Sequence, residues 1–171
     1  MVASGFEEHG PGRSPRDRVV ANAQGKARDV VSRAGIPPGG AVLGADTEVV
    51  LDGMSLGKPE DAEAARRMLR GLAGRAHEVL TAVVLVTEAG ERTEVASTRV
   101  HMRAADEDVL NWYIATGEWR DRAGGYAVQG AGAALVTGVE GDHSAVVGLP
   151  VPLVADLLLA AGLGPWTASG A

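Results

Sequence analysis

The 171-residue chain contains no cysteine, which excludes disulfides, thiolate zinc sites and a thiol nucleophile. Aromatic residues are scarce, at 4%, so aliphatic side chains and alanine must fill the core. No apolar run approaches the ~20 residues that cross a bilayer. The opening stretch, Met1 to Gly12, is acidic and glycine-rich and lacks the apolar region of a signal peptide. A cytoplasmic protein with no membrane contact is the expectation. Positive charge is also in short supply: the formal net charge is -6, whereas a general nucleic-acid binder presents a basic surface. That balance still admits a small anionic substrate, because a few converging lysines create a local positive pocket. The GxxxxGK[ST], GxGxxG, HExxH and GxSxG patterns are absent. The histidines, His9, His77, His101 and His143, have no metal-ligand spacing.

What is present reads as one domain over residues 1–171, long enough to bury a core and without repeat or linker. Ser14-Pro15-Arg16-Asp17 opens a helix: Ser14 caps it, Pro15 takes the first helical position and Asp17 closes the box. Val19, Val20, Ala23, Ala27, Val30, Val31 and Ala34 repeat at helical spacing up to Gly35. Lys26 falls at the edge of that apolar face, where a lysine needs a partner or must snorkel.

An apolar run from Ala41 to Ala45 reads as a strand ending on Asp46. A second run, Glu48 to Leu51, meets the turn Asp52-Gly53 and returns through Ser55-Leu56 to Lys58 and Pro59. A helix starts at Asp61, with Ala62, Ala65, Met68, Leu69 and Leu72 inward and Arg66, Arg67 and Arg70 on a solvated face. His77 lies on a turn into the strand Val79 to Thr87 and reads as a hydrogen-bonded structural residue. Thr93 to Met102 forms the next strand, and Asp106 to Gly117 bounds a third helix. Trp119 to Gly125 is a polar loop, Tyr126 to Gly130 an extended segment, and Ala133 to Val139 a further strand. A last helix spans Pro152 to Ala161, and residues 165–171 read as a frayed tail. Strands and helices alternate but hairpins interrupt them, which points to an α/β fold with a mixed sheet flanked by helices.

Six polar residues stand in apolar or glycine-rich surroundings: Glu8, Lys26, Asp46, Thr47, Lys58 and Gln129. Two carboxylates can hold a hard divalent cation such as Mg²⁺, leaving its other positions to water and phosphate. Lysines supply compact charge for phosphate oxygens. Thr47 and Gln129 can hydrogen-bond the edge of a base. These residue types together point to phosphate-ester or anhydride chemistry. The plainer alternative is a turn acid at Asp46 and a lysine at Lys58 that merely precedes a helix.

Five spaced segments carry a resemblance: Gly44-Ala45-Asp46-Thr47, Leu56 to Asp61, Met68 to His77, Ala123 to Gly130 and Gly148-Leu149-Pro150. In this order they resemble the Maf family of nucleoside triphosphate pyrophosphatases, from about Glu8 to Gly162. The resemblance implies a fold similar to inosine triphosphate pyrophosphatases, with an elongated mixed sheet and a cleft between two lobes. It also implies metal-assisted hydrolysis (Mg²⁺ or Mn²⁺) of a nucleoside triphosphate to the monophosphate and pyrophosphate. Asp46 matches the family's catalytic acid, usually described as the proton acceptor, and would also bind the metal with Glu8. Lys26 and Lys58 match the cluster around the phosphates. Thr47 and Gln129 match the branch acting on dTTP and UTP. The resemblance leaves room for a homodimer. Two other readings stay open: a non-catalytic, nucleotide-binding regulator of cell division, and a purine-directed pyrophosphatase.

The chain departs from the family at its start. Maf proteins open with a strand, a Ser-x-Ser-Pro-Arg-Arg loop and a helix, whereas Phe6-Glu7-Glu8 here matches the segment after that helix. Roughly 25–30 residues, about one strand, one turn and one helix, are expected to be missing. That loss would expose a sheet edge and remove arginines from the phosphate site. A start codon placed too late, a trimmed chain and a shortened, impaired homologue each account for it. The misplaced start is favoured because the rest of the site is intact.

Overall fold

The computed structural model describes residues 2–8 and 14–164. The expected frayed tail at 165–171 lies outside them. Helix α1 (Pro15–Ala34) starts where its cap predicts: Ser14 Oγ accepts from the Asp17 amide at 3.2 Å. Then follow β1 (Val42–Leu51), β2 (Met54–Leu56), α2 (Ala62–Leu72), β3 (Ala76–Thr87), β4 (Gly90–Met102), α3 (Glu107–Thr116), β5 (Val136–Glu140), α4 (His143–Val147) and α5 (Val151–Ala160). A short 3₁₀ turn at Ala123–Gly125 lies within the expected polar loop, and another at Gly130–Leu135 stands where the end of the extended segment and the start of a strand were expected.

The five strands form one sheet in the order β2-β1-β3-β4-β5. The expected α/β sheet flanked by helices is there, but all four pairings are antiparallel. Among the described residues no two neighbouring strands are parallel. The reason is topological. Strands β2 and β3, joined by α2, run the same way, but β1 lies between them, so they never pair.

The break expected at Asp46 is also absent. Strand β1 runs unbroken for ten residues through Asp46, Thr47 and Glu48. These polar residues interrupt the hydrophobic pattern without interrupting the strand, because each has a partner. Glu48, nearly buried, takes a bidentate pair from Arg18 at 2.6 and 2.8 Å, and Ser55 joins both side chains. The Asp52-Gly53 turn forms as expected, with positive φ at both residues (51° and 76°).

Alternation along β1 sorts its side chains between two layers. Gly44, Asp46, Glu48 and Val50 face α1, whose Val19, Ala23 and Ala27 pack with Val50, Leu80, Ala82 and Val84. Ala45, Thr47 and Val49 face the other side, where the main core joins Val49 to residues of α2 and α3. Gly44 makes the first layer close: a Cβ there would sit 2.6 Å from the Ala23 carbonyl oxygen and 2.8 Å from Ala27 Cβ. Strand β2 pairs only with Val49–Leu51. Among the described residues the outer edge of β1 therefore has no strand neighbour over 42–48. No helix among them is long and apolar enough to cross a membrane.

Candidate active site

A cleft of about 620 Å³ opens at this free edge of β1. All six polar residues singled out in the sequence line it. Lys26 comes from α1, Asp46 and Thr47 from the middle of β1, and Lys58 from the segment after β2. Glu8 and Gln129 are brought in from segments outside any helix or strand.

On the α1 side, Lys26 Nζ lies 2.6 Å from Asp46 Oδ1 and 2.6 Å from Glu8 Oε1. Asn22, one helical turn before Lys26, donates to Asp46 Oδ2 at 3.2 Å. The lysine at the edge of the apolar face thus has its partners. Burial lowers the Lys26 pKa, but the hydrogen bonds and charges of both acids outweigh it, and the net shift is upward. Glu8 is held below the ordinary carboxylate range, chiefly by its hydrogen bond to Lys26, with Lys58 adding a smaller pull. Asp46 goes the other way. Burial raises its pKa more than Lys26, which it shares with Glu8, can lower it. Lys26 is the one ammonium in direct contact with both acids, with Lys58 acting on Glu8 from farther off.

Two carboxylates gathered around Lys26 are oxygen donors of the kind a hard cation takes. Among the described residues no group of three acids or histidines stands in metal-holding range. Any metal here would take its remaining ligands from water or substrate oxygens. Lys58 and Arg122 add positive charge to the lining of the cleft.

The opposite wall is built from the loop after α3. Gln129 is exposed to the cleft, and three contacts hold its loop. His77 Nε2 and the Tyr126 hydroxyl are 2.7 Å apart, and Tyr113 Oη accepts from the Ala127 amide at 3.1 Å. The Glu118 carboxylate accepts from the Ala131 and Gly132 amides at 2.9 and 3.1 Å. His77 is the expected structural residue, but it sits within β3 rather than on a turn and is buried. Thr47 lies on this side too, with its Oγ1 2.9 Å from Thr81 Oγ1.

The model of the Maf-like protein family matches residues 1–161. The chain belongs to the Maf family. Among curated Maf relatives, the dTTP/UTP pyrophosphatase of Anaeromyxobacter dehalogenans is 48% identical over 161 residues, covering 91% of this chain and 79% of the relative. The enzyme of the same description from Myxococcus xanthus is 50% identical, covering 86% and 74%. That from Pyrococcus furiosus is 40% identical, covering 85% and 75%.

Sequence reasoning on this Maf chain missed Asn22, Thr81, Glu118 and Arg122. A signal existed for Asn22, which precedes Lys26 by four residues on the same helix. None existed for Thr81, whose role depends on strand register, or for Glu118, whose partners are amides 13 and 14 residues away.

Proposed function

We propose that this chain hydrolyses dTTP and UTP to the monophosphate and pyrophosphate, with a divalent cation (Mg²⁺ or Mn²⁺) held by Glu8 and Asp46. When bound, the cation would offset negative charge on the phosphates and orient their oxygens. Asp46 accepts the proton of a water that attacks the α-phosphorus. A new P–O bond forms, the α–β anhydride bond breaks, and pyrophosphate leaves with the bonding electron pair. Lys26 and Lys58 neutralise charge as the anhydride opens. Thr47 and Gln129 hydrogen-bond the base.

The observation that carries this reading is the pairing of two chemistries in one cleft. An acid–lysine–acid cluster lies on one face of β1, and uncharged hydrogen-bonding groups lie on the other. Membership in the Maf family and the description of the relatives support it independently. The test is pyrophosphate release from a panel of triphosphates with Mg²⁺ or Mn²⁺. Turnover of dTTP and UTP ahead of the others is expected. Absence of turnover on every nucleotide would overturn the enzyme reading, and a preference for GTP derivatives would overturn the pyrimidine assignment.

A further inference from the structure

Thr47 and Thr81 are directly opposite each other in the β1–β3 register. Their hydroxyl oxygens are 2.9 Å apart, and either could donate on distance alone. A second contact decides the direction. Thr81 is fully buried, and its Oγ1 lies 2.8 Å from the carbonyl oxygen of Ala145 in α4. A carbonyl only accepts, and a hydroxyl carries one proton. If Thr81 spent that proton on Thr47, its oxygen and the Ala145 carbonyl oxygen would face each other at 2.8 Å in a buried site with no proton between them, which is costly. The Thr81 proton therefore belongs to Ala145, and Thr81 must receive the proton of Thr47. The relay is anchored at the cleft wall: the Ala145 carbonyl also accepts the Gly148 amide at 3.0 Å, and a Cβ on Gly148 would come within 3.8 Å of Thr47 Oγ1.

We propose that Thr81 is a positioning residue that fixes Thr47 as an acceptor toward the cleft, so that the site selects pyrimidines presenting a ring N–H. Uracil and thymine carry that N–H at N3, and cytosine carries a bare lone pair there. Gln129 cannot make this distinction by itself, because a side-chain amide can turn either its oxygen or its nitrogen to the base. An unrestrained Thr47 hydroxyl would be equally indifferent. The buried relay removes that freedom, and a wrongly matched polar pair is then strongly rejected. This inference rests on the pyrimidine triphosphate reading of the cleft.

The test compares kcat/KM for UTP and CTP in the wild type, Thr81→Val and Thr81→Ser, together with UTP methylated at N3. The Val change preserves shape, and the Ala145 carbonyl keeps the Gly148 amide. The wild type should favour UTP over CTP by about 10²-fold and reject N3-methylated UTP similarly. In Thr81→Val the UTP/CTP ratio should fall about tenfold, mainly through a gain on CTP, and Thr81→Ser should restore it. A merely structural role would lower both substrates together. An unchanged ratio in folded Thr81→Val would overturn the proposal, as would equal wild-type turnover of UTP and N3-methylated UTP, a result that needs no variant. No wild-type turnover of any triphosphate would instead overturn the underlying functional reading.

Discussion

Asp46 and Thr47 are consecutive residues whose side chains leave opposite faces of β1, yet both line the same cleft. Among the described residues the outer edge of the strand has no neighbour at this point, β2 having paired no further than Val49. The cleft wraps around that edge. In the proposed reading the triphosphate lies toward α1 and the base toward α4, with the strand between them.

Asp46→Asn should lower kcat by about 10²- to 10⁴-fold, the usual contribution of a positioned proton acceptor. The fold should not suffer. Because burial raises the Asp46 pKa, ionising it costs folding stability, and that cost is incurred as pH rises through the raised value. A neutral asparagine removes the cost, so the thermal midpoint near neutral pH should stay level or rise. Full activity in Asp46→Asn would refute the assignment.

Gly44→Ala tests the seating of α1. The added methyl meets backbone and Cβ atoms rather than the end of a flexible side chain, so the helix must move from the strand. Overpacking of this kind costs about 1–3 kcal/mol, readable in denaturant unfolding. Lys26 and Asn22 ride on α1, so turnover should fall as well. An unchanged midpoint would mean that the helix is less tightly seated than the structure shows.

Stability should fall on mild acidification because of His77. Burial, helped by the charge of His101, lowers its pKa to about 4. The unfolded chain binds the proton more readily, so this contribution is complete above the unfolded value of about 6.5 and is lost as pH falls toward 4. The full effect is on the order of 3 kcal/mol. His77→Gln should flatten the stability profile across that window, as measured by urea unfolding at a series of pH values. An identical slope in both proteins would refute the role.

Glu118→Ala should loosen the loop that carries Gln129. Two amides lose their acceptor, at a cost of about 1–3 kcal/mol, and KM for the nucleotide should rise more than kcat falls. Glu118→Gln, which keeps one acceptor oxygen, should recover part of the loss. Equal effects of the two variants would argue against the hydrogen bonds and for the charge.

Much of the architecture was legible because its signals are local. Ser14-Pro15, Asp61 and Asp106 start helices where their caps predict, and Asp52-Gly53 turns as expected, because these preferences depend on neighbouring atoms. The candidate residues stood out because charge and amide groups amid apolar sequence need partners. The sequence by itself thus determined the starts of three helices, the hairpin turn, the family resemblance and the list of polar residues. Tertiary structure alone decided that Asp46 sits mid-strand rather than at a strand end, because its partners Lys26 and Asn22 come from another element. It also decided that Thr47 gives its proton to Thr81, since register and a carbonyl of α4 set that direction. Local preference cannot encode either one. Both depend on which groups meet after the chain has packed.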